Sequence, residues 1–238
     1  MNARAETAAG TSASRRFLLL HALLVPGALA LAAASAQRGG LDQHLAAAFF
    51  DPAAGAFPAR ASMPLEVLGH RLAKSAVLLL WFTLLACALA SSALRSRFDR
   101  VRAVLWATVG AMALGPAIVV VLKGLNSHHC PWGLRDYGGL ARFAADWFVP
   151  ASEAGHCFPS GHAAAGFSLV GLSFAGRVLG HPGLARWGLA AALAAGVLFS
   201  AIRMAQGAHF LSHNLWAAAI DWFAAALVFA PLTGAERT

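Results

Sequence analysis

Six apolar stretches, each close to the length that crosses a bilayer, constrain this chain more than anything else in it. They run over residues 17–36, 73–94, 103–122, 161–179, 186–201 and 210–232. A membrane helix needs about 20 mostly apolar residues, with about 17–25 tolerated; the fifth stretch is the shortest. Pro26, Gly110 and Pro116 fall inside these stretches. They are compatible with membrane helices, where neighbouring helices and side chains re-satisfy freed backbone groups. Only 12% of the residues are charged, against about 25% in soluble domains, and the mean hydropathy is +0.64. The expected fold class is all-α: a polytopic membrane protein, with residues 1–238 forming one membrane-embedded six-helix bundle.

The formal net charge is +8. In so apolar a chain this excess reads as the positive-inside bias of membrane loops, and nucleic acid is not expected as a partner. Arg15 and Arg16 precede the first stretch. Arg95, Arg97, Arg100 and Arg102 crowd the second connection, Arg177 and Arg186 flank the fourth, and Arg237 follows the last stretch. With six spans all of them fall on one side, which makes that side cytoplasmic and places both termini there, in a bacterial inner membrane. The periplasmic side then carries the long loops 37–72 and 123–160 and the short link 202–209. The N-terminus also fits a signal peptide, with Arg15-Arg16, an apolar run and Ala34-Ser35-Ala36. That run is long for a signal, and a retained helix completes an even count. Segment 37–72 lacks periodicity and reads as a loop with short interfacial helices near 41–50 and 65–72.

Chemistry concentrates in three places, all at periplasmic ends of spans. They are Lys123 with Pro131 eight residues on, Pro159-Ser160-Gly161-His162, and Arg203 with His209 six residues on. Each has an ordinary structural reading: a snorkelling lysine or arginine at a helix end, a serine N-cap, an interfacial histidine. Converging at one membrane depth, they supply two cations, a hydroxyl, a glycine N–H and two histidines. A phosphate dianion is held by that set without a metal. Of the three cysteines, Cys87 reads as packing in mid-membrane. Cys130 and Cys157 share the outer loop, either as two thiols or as a disulfide, which an oxidising periplasm favours. His128, His129, Cys130, His156 and Cys157 suggest zinc only weakly, since the ligands are adjacent and no C-x2-C is present.

With these residues in order, the chain resembles the type 2 phosphatidic acid phosphatases (PAP2), the group that shares its site with vanadium haloperoxidases. Their signature is K-x6-R-P, P-S-G-H and S-R-x5-H-x3-D. The resemblance covers about 123–213, and the Cys130-Pro131-Trp132 wording with Gly155-His156-Cys157-Phe158 looks like a bacterial subgroup. It implies a phosphatase acting on a lipid phosphate or diphosphate among membrane lipids, with no cofactor. His209 would be the nucleophile of a phosphohistidine intermediate and His162 the acid and base. Lys123, Arg203, Ser160 and the Gly161 N–H would hold the phosphoryl oxygens.

Three positions depart from the signature. Cys130 replaces the first-motif arginine, for which Arg135 or Arg142, or protonated His128 or His129, would have to substitute. His213 replaces the aspartate that orients the nucleophile, and Ile202 replaces the serine before Arg203. Asp221, an intramembrane acid, is a further functional candidate, two turns beyond His213 and so about 12 Å along a helix from it. The rival readings are a lipid phosphotransferase using the same site, a non-catalytic binder of anionic lipid, a vanadate-dependent oxidase and a transporter. The last lacks any visible inverted repeat.

Overall fold

The computed structural model describes residues 14–93 and 99–233; Arg95, Arg97 and Arg237 lie outside the described residues. The long apolar stretches become helices, because in lipid a span must satisfy its backbone groups internally. Eight helices are described. Helix α1 is Ser14–Arg38, with a π-helical turn over Leu19–Leu24. Helix α2 is Leu41–Phe49, and α3 is Ala73–Ala93, entered through a π-helical segment Leu65–Leu72. Then come α4 (Asp99–Lys123), α5 (Gly161–Phe167), α6 (Val170–Val178), α7 (Pro182–Ala205) and α8 (Leu211–Thr233). Of the two short helices expected in loop 37–72, the first is present as α2, while residues 65–72 run without a break into α3. Five helices are long and apolar enough to cross a membrane: α1, α3, α4, α7 and α8.

Three expectations change. The fifth stretch, shortest in the sequence, is a 24-residue helix. The fourth is not one continuous helix. It breaks between α5 and α6, where the Leu169, Gly171 and Leu172 N–H groups bond three residues back, to Gly166, Ser168 and Leu169. This tighter turn lies in the most buried part of the bundle. Val170 and Phe174 are fully buried beside Met112 of α4, Ala192 of α7 and Phe229 of α8. Backbones approach closely here because small residues face one another, as in other membrane bundles. A Cβ on Gly166 would stand 2.6 Å from the Gly196 nitrogen, and one on Gly188 2.6 Å from the Ser173 nitrogen. Cys87 was expected in packing, but it is exposed on the outer surface of α3.

The bundle has two distinct ends. At one, Thr233 Oγ1 bonds Ser14 Oγ at 3.5 Å. Arg100 donates to the Val178 carbonyl at 2.8 Å, and Arg177 to His21 Nε2 at 3.1 Å. Arg100 and Arg177, two of the arginines read as one-sided, therefore lie at one end, with Ser14 and Thr233. At the other end α4 and α7 finish while α5 and α8 begin. A small second core caps it: Ala46 of α2 packs with Phe57, Leu134, Tyr137 and Phe210, and Tyr137 Oη donates to the Gln43 carbonyl.

Candidate functional site

The three motifs meet under that cap. Lys123 is the last residue of α4, and its Nζ would lie 3.6 Å from a Cβ placed on Gly161, the first residue of α5. Ser160, fully buried, caps α5 by accepting from the Ala163 N–H at 3.3 Å. Its own N–H bonds the His213 carbonyl on α8 at 3.0 Å. His162 and His209 face each other with ring centroids 6.4 Å apart. Arg203 ends α7, with Nη1 donating to Gln206 Oε1 at 2.8 Å, while its Nε is buried without a hydrogen-bond partner. Lys123, Arg203, Ser160, Gly161, His162 and His209 thus form one cluster, as the sequence spacing led us to expect.

Cys130 and Cys157 are joined by a disulfide, with Cα atoms 5.2 Å apart and a separation of 27 residues. A cross-link closing that loop contributes about 3–4 kcal/mol on the chain-entropy model. Locally it joins the loop after Lys123 to the strand of chain that leads into Ser160. The Cys157 sulfur lies 3.5 Å from His209 Nδ1. A disulfide sulfur has no proton, so it accepts only, and weakly. With Nδ1 turned to it, Nε2 is the nitrogen of His209 left to react. Donor atoms of Cys157, His209 and His213 all lie within 4.8 Å of one another, but in this state the sulfur is bonded to Cys130.

His213, where the signature has its aspartate, meets His209 ring to ring. Its ring centroid is 5.8 Å from that of His209, and its Nδ1 is buried without a partner. It also packs among Phe158 and Phe210. His128 is no substitute cation. It is buried, its Nδ1 meets Asn126 Oδ1 at 3.0 Å, and its ring stacks on Phe158. Burial lowers its pKa against the opposing pull of Asp146. Arg135 is exposed, and its Nε donates to the Leu140 carbonyl of its own turn; Arg142 is exposed as well. Asp221 lies deeper in the bundle, fully buried against Gly115 of α4. A Cβ on that glycine would collide with its carboxylate, and neither oxygen has a partner.

Three contributors escaped the sequence reading. Asn126 Nδ2 donates to the Leu122 carbonyl at 2.7 Å and the Phe158 carbonyl at 2.9 Å, tying the end of α4 to the Ser160 segment. Asp42 of α2 is buried and accepts from both the backbone N–H and the hydroxyl of Ser212. It thereby satisfies orphan donors at the start of α8, three residues after His209. Burial raises its pKa, opposed by the bonds from Ser212 and Leu211. The third is the pair Arg60 and Trp132, with the Arg60 guanidinium 4.3 Å from the ring centroid. Both sit on the link between α7 and α8. The Trp132 N–H donates to the Gly207 carbonyl, and Phe57 fills the space where a Gly207 Cβ would be, at a backbone φ of +68° that already favours glycine.

His209 is fully buried. Burial first, then the electrostatic influence of His213, Lys123, Arg203 and His162, holds its pKa well below the ordinary histidine value of 6.5. It therefore stands neutral beside cations.

A cavity of about 460 Å³ opens on this cluster. Lys123, Gly161 and His162 form one end. Its walls run between α3, α4 and α5, past Val77, Trp81, Met112, Pro116 and Val120, with Lys74 also on the lining. Neither a curated protein nor a solved structure matches the chain. The family model described as PAP2 superfamily matches residues 103–234, which include all three motifs and more than half of the chain. On that match, and on a helical membrane architecture that brings those motifs to one end, the chain belongs to the PAP2 superfamily, and that membership supports a phosphatase-type hydrolase activity.

Proposed function

We propose that the protein is a membrane-bound phosphatase of lipid phosphates or diphosphates. It acts at the periplasmic face of a bacterial inner membrane, with both termini cytoplasmic. The cavity carries this reading. A largely apolar slot between helices ends at Lys123, Gly161 and His162, which suits a ligand with an apolar tail and an anionic head.

His209 Nε2 attacks phosphorus, and the bond to the leaving oxygen breaks as His162 protonates that oxygen. Water then attacks the phosphohistidine, giving its proton to His162, and inorganic phosphate leaves. Lys123, Arg203, the Ser160 hydroxyl and the Gly161 N–H stabilise charge on the equatorial oxygens. No step is assigned to a metal. The depressed pKa of His209 sets a sign for pH dependence. The neutral form persists as pH falls, so the acid limb of kcat/KM due to His209 lies below about 6.5. Using a monophosphate and a diphosphate in parallel separates this limb from ionisation of the substrate. An acid limb at or above pH 7 with both substrates would contradict it.

The function is tested by phosphate release from a panel of lipid phosphates and diphosphates in mixed micelles, with and without EDTA. Release by the wild-type chain, changed less than two-fold by EDTA, is expected. Loss with EDTA and recovery with zinc would overturn the metal-free mechanism. Transfer to a second lipid without free phosphate would identify a phosphotransferase, and binding without turnover a lipid-binding protein.

A further inference from the structure

We propose that Arg60, from the loop before α3, is a phosphate-binding residue of this site, carried into position by Trp132. The inference rests on the phosphatase reading for its substrate but not for its geometry.

Two arginines share one ring. The Arg60 guanidinium lies 4.3 Å from the Trp132 ring centroid and that of Arg203 lies 5.6 Å from it. The two are therefore no more than about 10 Å apart, and Arg203 is subject to the charge of Arg60. Bringing like charges together is unfavourable unless an anion joins them. Glu66 also bears on Arg203 electrostatically, and its carboxylate stands 3.9 Å from Arg71. The buried Arg203 Nε, with no acceptor, marks where an anion oxygen is missing.

Arg60 is also anchored. Its N–H bonds the Phe57 carbonyl at 3.0 Å, and Phe57 is buried against Gly207. Trp132 is fixed to the same glycine by its backbone N–H. The arginine and its stacking partner are thus both referenced to the segment that joins Arg203 to His209. Cys130, two residues before Trp132, is occupied by its disulfide, and Arg135 by its own turn. Arg60 is exposed, so its guanidinium can swing from the ring toward an incoming phosphate, with the cation–π contact holding it nearby until then.

The experiment is a calorimetric titration of inorganic phosphate into the full chain in detergent, with kcat/KM for a lipid phosphate alongside. Arg60→Ala and Arg60→Gln should each weaken phosphate binding about 10- to 100-fold, the size of losing a charge-assisted contact, and lower kcat/KM similarly. Arg60→Lys should recover part of the loss. Trp132→Phe should bind like wild type, and Trp132→Leu like Arg60→Ala. Phosphate affinity within two-fold of wild type in both Arg60→Ala and Arg60→Gln would overturn the proposal, and so would a wild-type chain that binds no phosphate. Phosphate binding that depends on Arg60 in a chain without turnover would sink the phosphatase reading and leave this one standing.

Discussion

His209→Ala is expected to reduce phosphate release by about 10⁴–10⁶-fold, the range seen when a catalytic nucleophile is removed. The protein should still insert and fold. The side chain lost is buried, but its modest contacts are the weak one to the Cys157 sulfur and ring packing against His162 and His213. His162→Ala should behave differently. It removes the proton donor but leaves the attacking nitrogen and the cations, so a smaller loss of about 10²–10⁴-fold is expected. The loss should shrink for substrates whose leaving group needs no proton. Gel filtration in detergent checks folding, and phosphate release checks rate. Normal turnover in His209→Ala would remove the nucleophile from the mechanism.

Asp42→Ala is expected to have the second largest effect, on stability first. Its carboxylate is buried and serves the Ser212 N–H and hydroxyl. Removing it leaves two buried donors unsatisfied at the start of a membrane helix, a cost of about 2–4 kcal/mol. Because α8 begins two residues after His209, a loosened helix start also displaces the nucleophile. A further loss of about 10–100-fold in turnover follows from misplacement alone. Asp42→Asn keeps one acceptor oxygen and should fall between the two. Thermal unfolding in detergent and phosphate release on the same samples test this. An Asp42→Ala protein as stable and active as wild type would show that α8 is held by its apolar packing alone.

The sequence made legible whatever is written locally. Apolar runs of membrane length declare helices without any knowledge of their partners, and a Pro-Ser-Gly-His at the start of one declares a capped helix end. The tight turn at Ser168 and Leu169 was not legible, because an apolar run reads the same whether the helix continues or tightens. Three motifs at one depth gave the cluster of Lys123, Ser160, Gly161, His162, Arg203 and His209. What escaped were pairs set by tertiary packing. Asp42 and Ser212 are 170 residues apart, and Asn126 reaches the Phe158 carbonyl 32 residues on. Neither leaves a spacing in the chain. Arg135 was a candidate because it shares the loop with Cys130. The turn that buries Leu134 commits its guanidinium to the Leu140 carbonyl, while Arg60, far away in sequence, arrives with Phe57. Asp221 is placed by packing that no local spacing announces: it is buried against Gly115, which has the space to receive it.

The measurement that bears most directly on this account is a rapid acid-free quench of the purified protein during turnover of a lipid phosphate carrying radiolabelled phosphorus, followed by peptide mapping. The account predicts label on one peptide, at His209, stable to alkali and lost in acid. The label should be absent in His209→Ala. With a diphosphate substrate, whose leaving phosphate needs little help from His162, it should accumulate when His162 is replaced and hydrolysis slows. Turnover by the wild-type chain with no labelled peptide, or with label at a residue other than His209, would contradict it.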